Sequence, residues 1–253
     1  MIRQETEYFF AALRFFTRLP VPAWVGHSSE QLNHAARYFP LIGIIVGAIG
    51  AGVTLAAALL LPTGIAVLLG MTATLLATGA FHEDGLADSI DGFGGGWTRE
   101  DVLRIMKDSR IGSYGAVGIG MVLLTKFQAL AVLPEPTFWA GLIAGHSVSR
   151  LASTTLIFAL DYARDDETAK SKPLATRMSK SELVIATTFG LFPCLLLPYP
   201  QVAVALALVA LITLVAARYC VCRIGGYTGD SLGATQQLTE IAFYLGLLCN
   251  CTW

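Results

Sequence analysis

Three aspartates, Asp84, Asp88 and Asp91, carry the most legible chemistry in this sequence. They stand in the run Phe81-His82-Glu83-Asp84-Gly85-Leu86-Ala87-Asp88-Ser89-Ile90-Asp91-Gly92-Phe93-Gly94-Gly95-Gly96. On a helix advancing about 100° per residue they lie within roughly 60° of one another, so three carboxylates share one face. Left alone, such a group repels itself at a membrane boundary; a divalent cation relieves the repulsion and gains hard oxygen ligands. Magnesium suits the set best, because it takes a few carboxylates, keeps waters and bridges to substrate phosphates. His82 is the only histidine beside the cluster, which argues against zinc. The bland alternative is an acidic loop leaving the membrane with all three side chains in water.

The flanking residues extend the same chemistry. His82 either hydrogen-bonds a phosphate or marks the membrane interface, and Glu83 points to a different side of the helix, as a surface residue or an outer ligand. Gly92, Gly94, Gly95 and Gly96 read as a flexible hinge, or as backbone able to close over a phosphate. Thr98-Arg99-Glu100-Asp101 has the form of a helix start with Thr98 as cap. The short helix it opens is expected to deliver Arg104, Lys107, Asp108 and Arg110 before breaking at Gly112. Lys107 and Arg110 offer the cations a diphosphate needs beside an acidic metal site. Arg104 reads instead as resting on anionic headgroups. Lys126 and Arg150 sit inside apolar stretches, where a charge implies a partner or a function, and are read as substrate-binding groups of a buried polar pocket. Asp230, in Gly225-Gly226-Tyr227-Thr228-Gly229-Asp230-Ser231-Leu232-Gly233, either completes the metal site or caps a helix, with Glu240 beyond it at the cytoplasmic end of the last span.

The elements that position these residues are membrane helices. Hydrophobic residues make up 55% of the chain and charged residues 14%, with a mean hydropathy of +0.62, far from the composition of soluble domains. Apolar runs near spanning length cover residues 39–61, 63–81, 114–133, 138–160, 183–197 and 202–217, with 241–253 as a short last one. The expected fold is therefore all-α, a polytopic membrane helix bundle with about seven transmembrane helices. Proline turns at 62–64, 134–136 and 198–200 pair them into hairpins. Residues 1–253 form one integral membrane domain, because no polar stretch is long enough for an independent core. Residues 82–113 carry the site as a cytoplasmic acidic motif and short helix.

Basic residues set the orientation. Arg3, Arg14, Arg18 and Arg37 precede the first span; Arg99, Arg104, Lys107 and Arg110 separate the second and third; Arg164, Lys170, Lys172, Arg177 and Lys180 separate the fourth and fifth. Arg218 and Arg223 lie near the end of the sixth, and the tight proline turns carry none. The positive-inside rule places these loops, and the aspartates with them, in the cytoplasm. No cleavable signal is evident, so the first spans are expected to direct insertion.

Tyr8, Phe9, Phe10, Leu13, Phe15 and Phe16, interleaved with Arg14 and Arg18, suit an N-terminal interfacial helix, or equally one packed on the bundle. Gly43 with Gly47, Gly141 with Gly145, and Gly225, Gly229 and Gly233 allow close helix approach, and leave homo-oligomerisation open. The cysteines Cys194, Cys220, Cys222, Cys249 and Cys251 lack the spacing of a structural zinc site and read as small apolar residues. A net charge of -1 excludes a global attraction to nucleic acid.

Four segments, in order, resemble the cobalamin synthase family of integral membrane adenosylcobinamide-GDP ribazoletransferases. They are Thr17-Arg18-Leu19-Pro20-Val21-Pro22; His82-x-Asp84-Gly85-Leu86-Ala87-Asp88-x-x-Asp91-Gly92; Ile105-Met106-Lys107-Asp108-Ser109-Arg110-x-Gly112; and Gly225-Gly226-x-Thr228-Gly229-Asp230-x-Leu232-Gly233. The resemblance covers nearly the whole chain. It implies a bacterial inner-membrane enzyme that transfers cobinamide phosphate from adenosylcobinamide-GDP to alpha-ribazole or its 5'-phosphate, releasing GMP and requiring Mg2+. It carries over Asp84, Asp88 and Asp91 as metal-site residues, with Asp108 and Asp230 as further candidates. Within that scheme Asp91 is the expected catalytic proton acceptor, and Lys107 and Arg110 neutralise phosphate charge. Glu83 receives no direct ligand role. A CDP-alcohol phosphotransferase acting on a lipid alcohol is the nearest rival, but Asp84-Gly85-Leu86-Ala87-Asp88 lacks the arginine of its usual D-G-x-x-A-R motif. An anion transporter using Lys126 and Arg150 is the non-catalytic one.

Overall fold

The computed structural model describes residues 2–26, 28–163 and 175–249. Arg164, Lys170, Lys172, Cys251 and the end of the last expected span, residues 250–253, lie outside them. The described residues are all-helical, apart from one isolated bridge between Tyr162 and Tyr227. The helices are α1 (Ile2–Phe16), α2 (Ser29–Ala35), α3 (Phe39–Ala58), α4 (Thr63–Thr78), α5 (Phe81–Gly95), α6 (Arg99–Ile105), α7 (Ser113–Val132), α8 (Glu135–Ala159), α9 (Lys180–Leu191), α10 (Tyr199–Ile224) and α11 (Gly229–Leu247).

Among the described residues, three stretches are long and apolar enough to cross a membrane alone: Ser29–Ala58, Ser113–Val132 and Tyr199–Ile224. The bent pair α4 and α5 makes a fourth if counted as one. Of the about seven spans expected, three or four pass on length and composition, and the other helices fall short for visible reasons. Although α8 has 25 residues, it carries His146, Arg150 and several hydroxyls, which lower its hydropathy. After twelve residues α9 gives way to a 3-10 turn containing Pro193. The last helix starts at Gly229, well before the apolar run, and bears Gln236, Gln237 and Glu240. Glu240 is accordingly in mid-helix, not at a span's end.

Helices α8 and α11 form the centre. Every residue of α8 from Ala144 to Thr154 is buried, the pattern of a helix surrounded on all sides. It packs on α3 and α11, and α11 also packs on α5 and α10. Gly43 and Gly47 of α3 lie directly on the α8 backbone at His146 and Ile143, where a β-carbon would collide, so this small-residue pair does bring two helices into close contact. Outward faces of α7 and α10 leave Val117, Met121, Leu124, Leu211 and Leu214 exposed, the apolar surface expected of helices bathed in lipid.

Helix α1 is amphipathic as expected, and it buries Ala11, Ala12, Leu13 and Phe16 in a cluster with Phe39, Ile42 and Val46 of α3. Arg37, just after α2, holds Glu182 at the start of α9 (2.6 Å) and Glu5 of α1 (3.1 Å), so an ion-pair network ties these elements together.

The turn that aims the acidic segment was invisible as an apolar run. The apolar run 63–81 leads directly into it in sequence, but the chain bends by 87° between α4 and α5. Gly79 (φ 69°) and Ala80 (φ 57°) both adopt the left-handed conformation there. A left-handed alanine costs on the order of 1 kcal/mol, and persists only where surrounding contacts enforce it. The backbone N–H of Arg18, donating to Ala77 O at 2.7 Å, is one such contact.

Candidate active site

Helix α5 presents the three aspartates in order of increasing burial: Asp84 is exposed, Asp88 half-buried and Asp91 buried. The helical spacing holds, and the helix runs on through Gly92, Gly94 and Gly95 instead of hinging there. Gly92 is helical against Met106 and Val102, which explains a small residue without flexibility.

Asp91 is occupied. One carboxylate oxygen accepts the Gly112 N–H (2.7 Å) and the other the Gly115 N–H (2.8 Å). These are unsatisfied donors of the first turn of α7, whose own cap residue, Gly112, has no side chain to offer. A carboxylate at a helix N-terminus is favoured by both hydrogen bonding and the helix dipole. Asp91→Ala is therefore expected to lower stability by about 2 kcal/mol, read as a drop in melting temperature in detergent; an unchanged melting temperature would refute the capping role.

Among the described residues no three His, Cys, Asp or Glu side chains converge to hold a metal ion. The expected three-aspartate face is therefore not a ready-made cage. Asp84 and Asp88, one turn apart on the accessible side of α5, still match what Mg2+ asks of a protein when phosphates supply further ligands. Asp230 is in the first turn of α11, whose cap is Thr228, accepting the Ser231 N–H at 3.2 Å. Its backbone lies against α5: a β-carbon on Gly85 would stand 3.0 Å from the Asp230 carbonyl, and one on Gly233 3.0 Å from that of His82. Glycines at both positions let α11 begin beside Asp84 and Asp88.

Thr98 caps α6 as expected, accepting from Asp101 N–H at 3.1 Å. That helix ends at Ile105, so Lys107, Asp108 and Arg110 ride on the following turn instead of the helix itself. Asp108 and Arg110 form a side-chain pair at 2.8 and 3.1 Å. The Arg110 side chain and its backbone N–H hold the Asp108 carboxyl down at about 2. Both face an open cleft of about 440 Å3 shared with Asp91, Arg104, Gly112 and Tyr114.

Beneath α5 lies a second polar assembly, at the centre of the helix bundle. Lys126 of α7, 3% exposed, meets the fully buried Glu240 of α11 at 2.5 Å. This is the partner that a charge inside an apolar helix requires. Glu240 also accepts from Gln236 (2.6 Å) and Tyr244 (3.0 Å), and His146 Nδ1 lies 3.4 Å away. Arg150 donates to the His146 carbonyl at 2.9 Å and lies over the Phe16 ring, 5.8 Å from its centroid. His82 stacks on the same Phe16, with ring centroids 5.0 Å apart. Glu83 is buried too, and accepts from Gln237 at 2.8 Å. Reading the sequence missed His146, Gln236, Gln237 and Tyr244, and took Glu83 as a surface residue or an outer ligand. Their signal is present as polar residues three or four apart in helices otherwise apolar, namely His146 with Arg150 and Gln236 and Gln237 with Glu240.

The architecture defines an all-helical membrane protein with a charged, hydrogen-bonded core beneath an acidic helix. The profile of the cobalamin-5-phosphate synthase family matches residues 8–248, and the chain belongs to that family. It is 49% identical over 248 residues to the adenosylcobinamide-GDP ribazoletransferase of Shewanella frigidimarina, covering 97% of this chain and 95% of that protein. It is 47% identical over 252 residues to the proteins of the same name from Shewanella oneidensis and Shewanella baltica, with the same coverage. No solved structure matches the chain.

Proposed function

We propose that this chain transfers cobinamide phosphate from adenosylcobinamide-GDP to alpha-ribazole or its 5'-phosphate, releasing GMP. The observation that carries the reading is 49% identity along 97% of the chain to a relative named for that transfer. The enzyme is read as an inner-membrane protein of about seven embedded helices, with α1 at the interface and α5 facing the cytoplasm, where nucleotides are. Basic residues on the α5–α7 side support that orientation.

A hydroxyl oxygen of the ribazole attacks the phosphorus bonded to cobinamide. The bond from that phosphorus to the GMP oxygen breaks, and GMP leaves with the electron pair. Lys107 and Arg110, on the turn that follows α6, offset charge on the diphosphate. Asp84 and Asp88 hold Mg2+, which when bound neutralises phosphate charge and stabilises the leaving group. The hydroxyl proton passes to one of these two carboxylates, because Asp91 is committed to α7. His82, Lys126 and Arg150 are buried to 3% exposure or less, so their part in the reaction is to shape the floor beneath α5, not to touch phosphate at its surface.

Purified protein supplied with adenosylcobinamide-GDP and alpha-ribazole should release GMP with Mg2+ and lose that activity with excess EDTA. GMP release that is equal in EDTA would remove the metal from the scheme. No turnover with ribazole, alongside turnover of a CDP-alcohol or anion uptake into vesicles, would favour the corresponding rival.

A further inference from the structure

Glu83 of the acidic segment turns its carboxylate into the bundle, where it is 6% exposed. A buried carboxylate is costly unless it is hydrogen-bonded, and its bonding here forms a continuous chain through three helices. Glu83 Oε1 accepts from Gln237 Nε2 (2.8 Å), which also donates to Gln236 Oε1 (2.8 Å). Gln236 Nε2 donates to Glu240 (2.6 Å) and to Ser149 Oγ on α8 (2.8 Å), and Glu240 closes the chain on Lys126 of α7. Helix α5 is thus tied to α7 twice: through this relay at Glu83, and directly at Asp91, which holds the first turn of α7. The two ties are eight residues apart, roughly 12 Å along the helix axis. A helix held at two such points can neither slide nor rotate, and Asp84 and Asp88 lie between them.

We propose that Glu83 is a positioning residue: through Gln237, Gln236 and Glu240 it sets the rotation of α5 against α7 and α11, and so the placement of Asp84 and Asp88. The inference rests on the transfer reaction proposed above. Glu83 itself is turned away from the accessible face and does not meet substrate. What matters at position 83 is therefore a hydrogen-bonding group of the right length, not a charge at the reacting phosphorus.

The test compares the full-length wild-type protein in detergent with Glu83→Ala and Glu83→Gln. Two readouts are taken on each: GMP release resolved into kcat and KM, and hydrogen exchange of the α5 amides by mass spectrometry. Misplacement by about 1 Å costs on the order of 100-fold, so Glu83→Ala is expected to lose about that factor in kcat with KM within about threefold. Its amides from 84 to 91 exchange faster than wild type. Glu83→Gln, which can still accept from Gln237, should restore slow exchange and bring kcat back to within about tenfold. Wild-type kcat and exchange in Glu83→Ala would overturn the proposal. So would a Glu83→Gln protein with normal exchange but turnover as poor as the alanine variant, since the charge and not the position would then count. Absence of turnover in the wild type would sink the proposed reaction instead, and the exchange data would still decide whether Glu83 anchors α5.

Discussion

Lys126→Met should yield a protein about 3–5 kcal/mol less stable than wild type, because it strands the buried Glu240 carboxylate without its cation. At full burial the two charges neutralise each other, and neither can recover its hydration when the other is lost. Gln236 and Tyr244 would continue to donate to Glu240, so the carboxylate keeps hydrogen bonds and loses its counter-charge. The double variant Lys126→Met/Glu240→Met removes both charges of the pair while leaving the buried Arg150 without the nearby Glu240 carboxylate, and should recover part of the loss, since well-packed apolar pairs often replace buried ion pairs at little cost. Melting temperatures of the purified proteins in one detergent measure both effects. A Lys126→Met protein that melts with the wild type would show that the pair contributes nothing net. A double variant no better than the single would place the loss in packing instead of charge.

Asp84→Asn and Asp88→Asn should each reduce GMP release by at least about 100-fold, the scale on which losing one transition-state electrostatic contact is felt. Their melting temperatures should stay near wild type, because Asp84 is exposed and Asp88 half-buried. The comparison with Asp91→Asn sharpens this. Its carboxylate is spent on two backbone N–H groups of α7, so this variant should lose stability while its residual folded fraction keeps more activity than the other two. Single-turnover GMP release, normalised to folded protein by circular dichroism, separates the effects. Wild-type rates in both Asp84→Asn and Asp88→Asn would dismiss the pair as metal-holding groups. Equal catalytic loss in all three with no change in stability would return Asp91 to the reacting centre.

Much of this was legible from residue types alone. Helical periodicity put Asp84, Asp88 and Asp91 on one face, and α5 does present them so. Thr98 announced the start of α6, and the isolated charges Lys126 and Arg150 announced a polar interior, since apolar surroundings make an unpartnered charge untenable. Hydropathy was a poorer guide to helix limits. It measures apolar length, whereas α11 begins twelve residues before its apolar run, at the Thr228 cap, and α9 is cut short at Phe192.

The helical class, the acidic face and the need for buried charge pairs are written in the residues, because each follows from spacing or from the cost of burial within a single segment. What the buried carboxylates bind is written in the tertiary contacts. Whether a carboxylate can meet a ligand depends on which donors from distant segments reach it first. Gly112 and Gly115 reach Asp91, and Gln237 reaches Glu83 from the far end of the chain. The left-handed turn at Gly79 and Ala80 belongs to the same category: it is held by neighbours remote in sequence, and it aims the whole acidic helix.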